Sequence, residues 1–513
     1  MAQNIITLFE ETARRFPNRR ALADAQEAWT FRTLRTQARR VASWLLNQGY
    51  RSRPLGILAR RDVWTGALFL AAAYSGNFYV PLDEDMPGEK LRKILTGGEI
   101  SLVLGRGPAQ ELPGYLDITD SLLAEMEEDQ TALASLQAEL EPQSLLYVVY
   151  TSGSTGVPKG VSKTHGAMLS FLDAYTRTFP FSERDVLGNQ TPFFFDASAK
   201  DFYLMAATGA ALEILPTELF SFPVRLMEYL NQRQVNFISW VPSALSIVTQ
   251  LNTFAEVLPT TLNRVFFVGE VFPQKQLDRW RLALPQAEFV NLYGSSEIAG
   301  VACYYRVPGG SLDTQALPIG GPLPNCTVHL VDQDRIVVEP GVVGELYLAS
   351  PALAAGYYQD PERTEISFPT LDLGDGVFRR YFRTGDLARY NEAGELVFAA
   401  RRDYQIKHMG RRIELGEIET AADSLEAVQR CCCLYDSKKQ KIVLFCQLAS
   451  DHISCTGREI RRLLRENLSD YMVPAKVILL ERLPLNANGK IDRQALARQL
   501  DARPSGAGGQ DVL

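Results

Sequence analysis

Histidine is scarce in this chain of 513 residues: there are four, at positions 165, 329, 408 and 452. They are too scattered to suggest a zinc site. The seven cysteines form an odd count without metal-ligand spacing. Cys431-Cys432-Cys433 lies in an apolar stretch and reads as strand or core, since adjacent cysteines rarely chelate one metal. Long apolar runs are missing too; none approaches the ~20 residues of a membrane span. No basic excess exists: 53 Lys and Arg stand against 60 Asp and Glu, a net charge of −7. That leaves no electrostatic footprint for nucleic acid, which needs a basic face. The start, Met1-Ala2-Gln3-Asn4, has no basic n-region of a signal peptide. The expected compartment is the reducing cytoplasm, and neither a membrane nor a nucleic-acid partner is expected.

What is present is ordinary for a globular protein: 46% hydrophobic and 22% charged residues. The length predicts about two to four folding units. Apolar residues recur at helical spacing from Ile5 to Phe16 and from Phe31 to Leu45. Short apolar runs at 55–58, 77–80, 101–104 and 145–150 alternate with helical stretches. The pattern continues through 235–241, 265–268 and 289–293. This alternation predicts parallel α/β layers, in which ligands gather beyond the carboxyl ends of strands. Between 327 and 398, short strands split by Gly and Pro predict a small β-barrel or sandwich. After Arg401-Arg402-Asp403 comes a final region of mixed helix and strand. The fold class is therefore α/β. A large N-terminal domain of two α/β sheet subdomains plus a small β-barrel covers 1–402. A smaller mobile α+β C-terminal domain covers 403–503, and 504–513 reads as a flexible tail.

The densest chemistry is Thr151-Ser152-Gly153-Ser154-Thr155-Gly156-Val157-Pro158-Lys159-Gly160. Glycines let backbone N–H groups turn inward, hydroxyls add donors, and the lysine supplies charge. Such a loop suits phosphate. It is not the nucleotide-kinase P-loop, whose lysine follows a glycine and precedes Ser or Thr. Four further clusters stand out: Phe193-Phe194-Phe195-Asp196, Asn291-Leu292-Tyr293-Gly294-Ser295-Ser296-Glu297, Arg383-Thr384-Gly385-Asp386 and Asn488-Gly489-Lys490. A carboxylate in an apolar wall, such as Asp196, is costly unless a cation meets it.

Together and in this order, these motifs resemble those of the adenylate-forming ligase superfamily: acyl-CoA synthetases, luciferases and the adenylation domains of nonribosomal peptide synthetases. Tyr381-Phe382-Arg383-Thr384-Gly385-Asp386, Arg412-Ile413-Glu414-Leu415-Gly416-Glu417 and Asn488-Gly489-Lys490-Ile491-Asp492 extend the resemblance over nearly the whole chain. It is nearest to amino-acid adenylation domains, including stand-alone D-alanine–carrier-protein ligases. One departure is Ala400-Arg401-Arg402-Asp403, where the family usually has Gly-Arg-x-Asp. The resemblance implies two steps. ATP and a carboxylic acid give an acyl-adenylate and pyrophosphate; a thiol then takes the acyl group. It implies Lys490 as the catalytic bridge between carboxylate and α-phosphate. Thr151, Ser152, Gly153, Ser154, Thr155, Gly156 and Lys159 would hold the departing phosphates. Glu297 would take Mg²⁺, Tyr293 adenine and Asp386 the ribose hydroxyls. Gly269, Glu270, Asn291, Gly294, Ser295, Ser296 and Arg401 would complete the ATP site. Asp403 would be the hinge.

For the acid, the resemblance implies a pocket of Asp196, Ala197, Lys200, Ser239, Phe266, Val268, Leu292, Gly300 and Val301. Asp196 falls where amino-acid-activating members hold the α-ammonium, which favours an amino acid. Lys200 reads either as a lysine snorkelling out to solvent or as a counter-charge for an acidic side chain, glutamate or aspartate, with neutral polar amino acids and a small one such as alanine also open. The expected thiol belongs to the phosphopantetheine arm of a carrier protein. The alternatives are a carboxylic acid–CoA ligase using free CoA, and a non-catalytic ATP-sensing protein on the same fold. The chain contains no carrier-domain serine motif of its own.

Overall fold

The computed structural model describes residues 2–109, 112–151, 158–309, 317–332, 335–337, 339–374, 376–402, 405–449, 455–484 and 491–502. The described residues divide into two compact units. One holds the described residues of 1–84, 95–150 and 160–402; the other holds the described residues of 85–94, 151–159 and 403–513.

The first unit is built on two large sheets. A nine-stranded sheet includes the parallel strands Val186–Asn189, Phe237–Trp240, Arg264–Val268 and Glu288–Tyr293, side by side. A seven-stranded sheet includes Pro54–Leu58, Phe78–Leu82, Leu145–Thr151 and Lys159–Thr164. Their strands are short apolar runs, as expected of sheets covered on both faces. The helix Val63–Tyr74 shows why: all its residues are buried. It packs on strands of both sheets. Its capping is local, Asp62 accepting from the Thr65 amide. The first two helices are amphipathic as their spacing predicts, at Ile5–Arg15 and Phe31–Asn47, capped by Asn4 and Thr30.

The region read as a barrel or sandwich is a five-stranded antiparallel sheet. Ala400 lies in its edge strand Leu396–Arg401 and has no left-handed φ. Alanine therefore meets no backbone strain at this position.

The second unit contains the hairpin Gln405–His408 with Arg411–Glu414 and a three-stranded sheet. That sheet is flanked by the helices Leu415–Asp423 and Gly457–Asn467. Helix Gly457–Asn467 starts with a capping box of Thr456 and Glu459. The cysteine run sits in the strand Val428–Asp436, with all three cysteines buried and unpaired. Burial pushes their thiols up, so they are inert packing groups.

Candidate active site

Asp196 opens the helix Asp196–Thr208, whose first turn favours an anion. Its Oδ1 accepts a hydrogen bond of 2.8 Å from the Tyr147 hydroxyl. Lys163 places its Nζ 3.9 Å from Oδ2, too far for a hydrogen bond. The Asp196 side chain retains 10% exposure, whereas that of Lys163 has none. Burial pushes the Asp196 carboxyl above the usual carboxylate range, against the lowering pull of Lys163 and Tyr147. Burial pushes the Lys163 ammonium down, against the attraction of Asp196 and Glu297. Lys163 Nζ makes no hydrogen bond at all. Strand alternation explains its placement: Lys163 lies two residues beyond the buried Val161 and shares its face.

Lys200 is buried rather than solvated. Its ammonium is buried and paired with the neighbouring Asp201 carboxylate, and lies 5.9 Å from the Phe237 ring centre. The segment is helical, so Asp196 and Lys200 do stand one turn apart. The charge of Lys200 is met inside the chain by Asp201.

The remaining expected pocket residues cluster on three neighbouring strands and the turn that follows. Register sets Ser239 beside Phe266, and Val268 beside Leu292. Gly300 has φ +65°, and a Cβ there would come within 2.3 Å of the Phe171 ring, so a side chain is excluded. Val301 is buried and Ala197 exposed.

Two of the nucleotide candidates, Tyr293 and Arg401, meet at Asp386. Its carboxylate accepts from the Tyr293 hydroxyl and from Arg401 Nη1 at 2.6 Å. Thr384 Oγ1 receives the Asp386 amide at 2.9 Å. Arg401 also donates to the Thr384 carbonyl at 3.2 Å. Glu297 is fully buried, and the Tyr357 hydroxyl donates to its Oε1 at 2.9 Å. Asn291 donates to the Pro318 carbonyl at 2.7 Å. Glu270 accepts from the Ser243 amide at 3.0 Å, beyond the turn made by Gly269 at φ +100°. Ser295 Oγ is buried without a hydrogen-bond partner, Ser296 is half-buried, and Gly294 lies where a Cβ would meet the Gly300 carbonyl at 2.6 Å. Thr151 ends its strand with Oγ1 buried and unpartnered, and Lys159 begins the strand after the loop. Ser152, Gly153, Ser154, Thr155, Gly156, Asp403 and Lys490 lie outside the described residues.

Among the described residues no group of three His, Cys, Asp or Glu could hold a metal ion. Magnesium needs few protein ligands when phosphate oxygens and water complete its shell. The hard, buried carboxylate of Glu297 fits that demand. No helix among the described residues is long and apolar enough to cross a membrane.

Tyr147, Lys163, Asp201 and Tyr357 are the groups that sequence reasoning passed over. Tyr147 was hidden in an apolar strand. Lys163 carried a readable signal, the face it shares with Val161.

Known proteins give this geometry a class. Residues 9–358 match the AMP-binding enzyme family, and 417–490 match the AMP-binding enzyme C-terminal domain. The chain belongs to the AMP-binding enzyme family. Tyrocidine synthase 3 of Brevibacillus parabrevis is 33% identical over 507 residues, covering 98% of this chain and 8% of that protein. Vanchrobactin synthetase VabF of Vibrio anguillarum is 32% identical over 509 residues, covering 95% and 18%. The chain thus spans under a fifth of the length of either relative. Among solved structures, holo-PA1221, an NRPS protein containing adenylation and PCP domains, superposes with a TM-score of 0.83 at 23% identity, covering 97% and 84%. The o-succinylbenzoate CoA synthetase MenE of Bacillus subtilis gives 0.83 at 22%, covering 97% and 98%. At these identities both establish the fold alone.

Proposed function

We propose that this chain activates an amino acid as its aminoacyl-AMP, releasing pyrophosphate, and passes it to the phosphopantetheine thiol of a carrier protein. The observation that carries the reading is Asp196: a carboxylate at a helix start, held by Tyr147 through one oxygen and open to solvent by 10%. A buried carboxylate is stabilised by a matching cation, and an α-ammonium supplies one.

In the first step a substrate carboxylate oxygen bonds to the α-phosphorus as the bond to pyrophosphate breaks. Two anions must approach, so positive charge has to meet the developing charge. Lys490 takes that role in our reading, with Thr151, Lys159 and the loop between them on the departing phosphates. Asp386, oriented by Arg401 and Tyr293, accepts the ribose hydroxyls. Magnesium, when bound, would be held through Glu297 and would neutralise phosphate charge. Residues 1–402 would carry both substrates and 403–503 the lysine, with Asp403 as the pivot. The similarity to peptide synthetases favours a carrier protein as acceptor over free CoA.

The test is thioester formation from ATP and a panel of amino acids on a holo-carrier protein and on CoA. Loading of the carrier with pyrophosphate release is expected. Loading of CoA alone would replace this reading with the CoA-ligase one. Lys490→Ala should slow adenylate formation by about 10²–10³ while ATP still binds. Pyrophosphate exchange at the wild-type rate would remove Lys490 from the chemistry.

A further inference from the structure

The strands Val186–Asn189 and Phe237–Trp240 run parallel, with Leu187 opposite Phe237 and Gly188 opposite Ile238. One residue further along each strand, toward the carboxyl ends, come Asn189 and Ser239. Both side chains are interior: Asn189 is 1% exposed and Ser239 4%. Neither finds a partner. Asn189 Oδ1 and Nδ2 and Ser239 Oγ make no hydrogen bond. Buried polar groups are nearly always satisfied, and an orphan is expensive. Three such atoms on adjacent strands are therefore a feature to be explained.

Alternation fixes the face they share. A Cβ at Gly188 would touch Val235, Ile238 and Leu215, the apolar cluster on one side of the sheet. Asn189 and Ser239 must then point to the other side. That side carries Leu187, Phe237, Phe266 and Leu292, and the helix Asp196–Thr208 packs there. Register continues the row from Ser239 to Phe266 and on to Val290. Asn189 thus extends the expected substrate pocket by one strand, at the strand ends where parallel sheets bind ligands.

We propose that Asn189 and Ser239 together read the substrate side chain, and that the side chain is neutral and hydrogen-bonding: a hydroxyl or a carboxamide. This rests on the amino-acid-activating reading above. The chemistry of the pair selects the class. An amide offers donors and an acceptor, and a hydroxyl offers one of each. A carboxylate would present only acceptors and would leave Asn189 Oδ1 facing an anion. The neighbouring cation, Lys200, is already taken by Asp201. An apolar side chain would leave all three atoms unsatisfied. Sites built to bond a polar group reject the analogue lacking it far more strongly than apolar pockets discriminate by size.

The experiment is amino-acid-dependent pyrophosphate exchange, measured as kcat/KM for asparagine, glutamine, serine and threonine against their near-isosteres leucine, valine and 2-aminobutyrate, and against aspartate and glutamate. The best neutral polar substrate should exceed its apolar isostere by at least 10²-fold. Asn189→Leu and Ser239→Ala should each lower kcat/KM for that substrate at least tenfold, mainly through KM. Leucine should be used as well or better by both variants, and KM for ATP should not move. Ser239→Thr, which keeps the hydroxyl, should keep the ranking. Because apolar groups replace orphaned ones, the melting temperature of Asn189→Leu should hold or rise; a merely structural asparagine would lower it. Preference for an apolar or acidic amino acid, or a ranking unchanged in both variants, overturns the proposal while leaving amino-acid activation intact. Exchange with no amino acid at all overturns both.

Discussion

Two lysine–acid pairs lie around the start of one helix, and they are built in opposite ways. Lys200 and Asp201 are both buried and in direct contact, and their charges are satisfied by each other. Lys163 and Asp196 are separated by 3.9 Å, the lysine has no hydrogen bond, and the acid is partly open. A closed buried pair neutralises its own charge, and losing either partner strands the other. An open pair keeps a lone-pair oxygen for a third group. The difference separates a pair closed on itself from one open to a further group, and it underlies the proposal that Asp196 binds the substrate.

The largest effect that would sharpen this contrast is Asp201→Ala. It strands the Lys200 ammonium in the interior and should cost about 3–5 kcal/mol of stability, read as a fall in the denaturant midpoint. The double change Lys200→Met with Asp201→Leu should recover most of it. A single mutant as stable as wild type would break the comparison. Next comes Asp196→Ala. It should lower kcat/KM for every amino acid by about 10²–10³, or roughly 3–4 kcal/mol, because a buried charged hydrogen bond to substrate is lost. Its melting temperature should stay near wild type. Unfolding instead of inactivation would make the open pair structural too.

His165, two residues past Lys163, adds a third solution, a buried base kept neutral. Its Nδ1 accepts from the Ile5 amide at 3.2 Å, and burial holds its pKa down to about 4. The unfolded chain takes up a proton near pH 6.5 that the folded chain refuses until about pH 4. This group's contribution is therefore lost as pH falls through that window, by about 3 kcal/mol at the lower end. Urea midpoints from pH 7 to pH 4 should fall less steeply in His165→Gln; parallel slopes would show that the imidazole does not titrate as its burial demands. The smallest effect belongs to Lys163→Met. Loss of the cation raises the Asp196 carboxyl further, and a protonated Asp196 cannot hold an ammonium. KM for the amino acid should rise about tenfold, and more at low pH than at high pH. An equal rise at both would assign Lys163 a steric role.

Much of the frame was legible because its strands are continuous apolar runs. The runs at 265–268 and 289–293 match the strands Arg264–Val268 and Glu288–Tyr293 within a residue at each end. The strand Val186–Asn189 was not seen. Its four residues include Gly188 and Asn189, types depleted in strands. Its partner Ala211–Ile214 and the early strand Arg20–Ala23 are equally short. The nine-stranded sheet joins the latter two across nearly two hundred residues, a pairing that local periodicity does not encode. At the site, motif order located Asp196, Tyr293, Glu297 and Asp386, and the structure brings Tyr293, Asp386 and Arg401 together. The contact of Lys200 with Asp201 was not foreseen, because sequence reasoning ranks distance along a helix face above the adjacent residue. A flexible lysine four carbons long reaches Asp201 all the same.

The central claim is that Asp196 receives the α-ammonium of the acid being activated. The most direct measurement is pyrophosphate exchange with the best amino acid, its N-acetyl derivative and its des-amino analogue, each against wild type and Asp196→Ala. The account predicts that wild type uses the free amino acid at least 10²-fold better than either derivative, and that Asp196→Ala erases this preference. Equal or better use of the des-amino acid by wild type would contradict it.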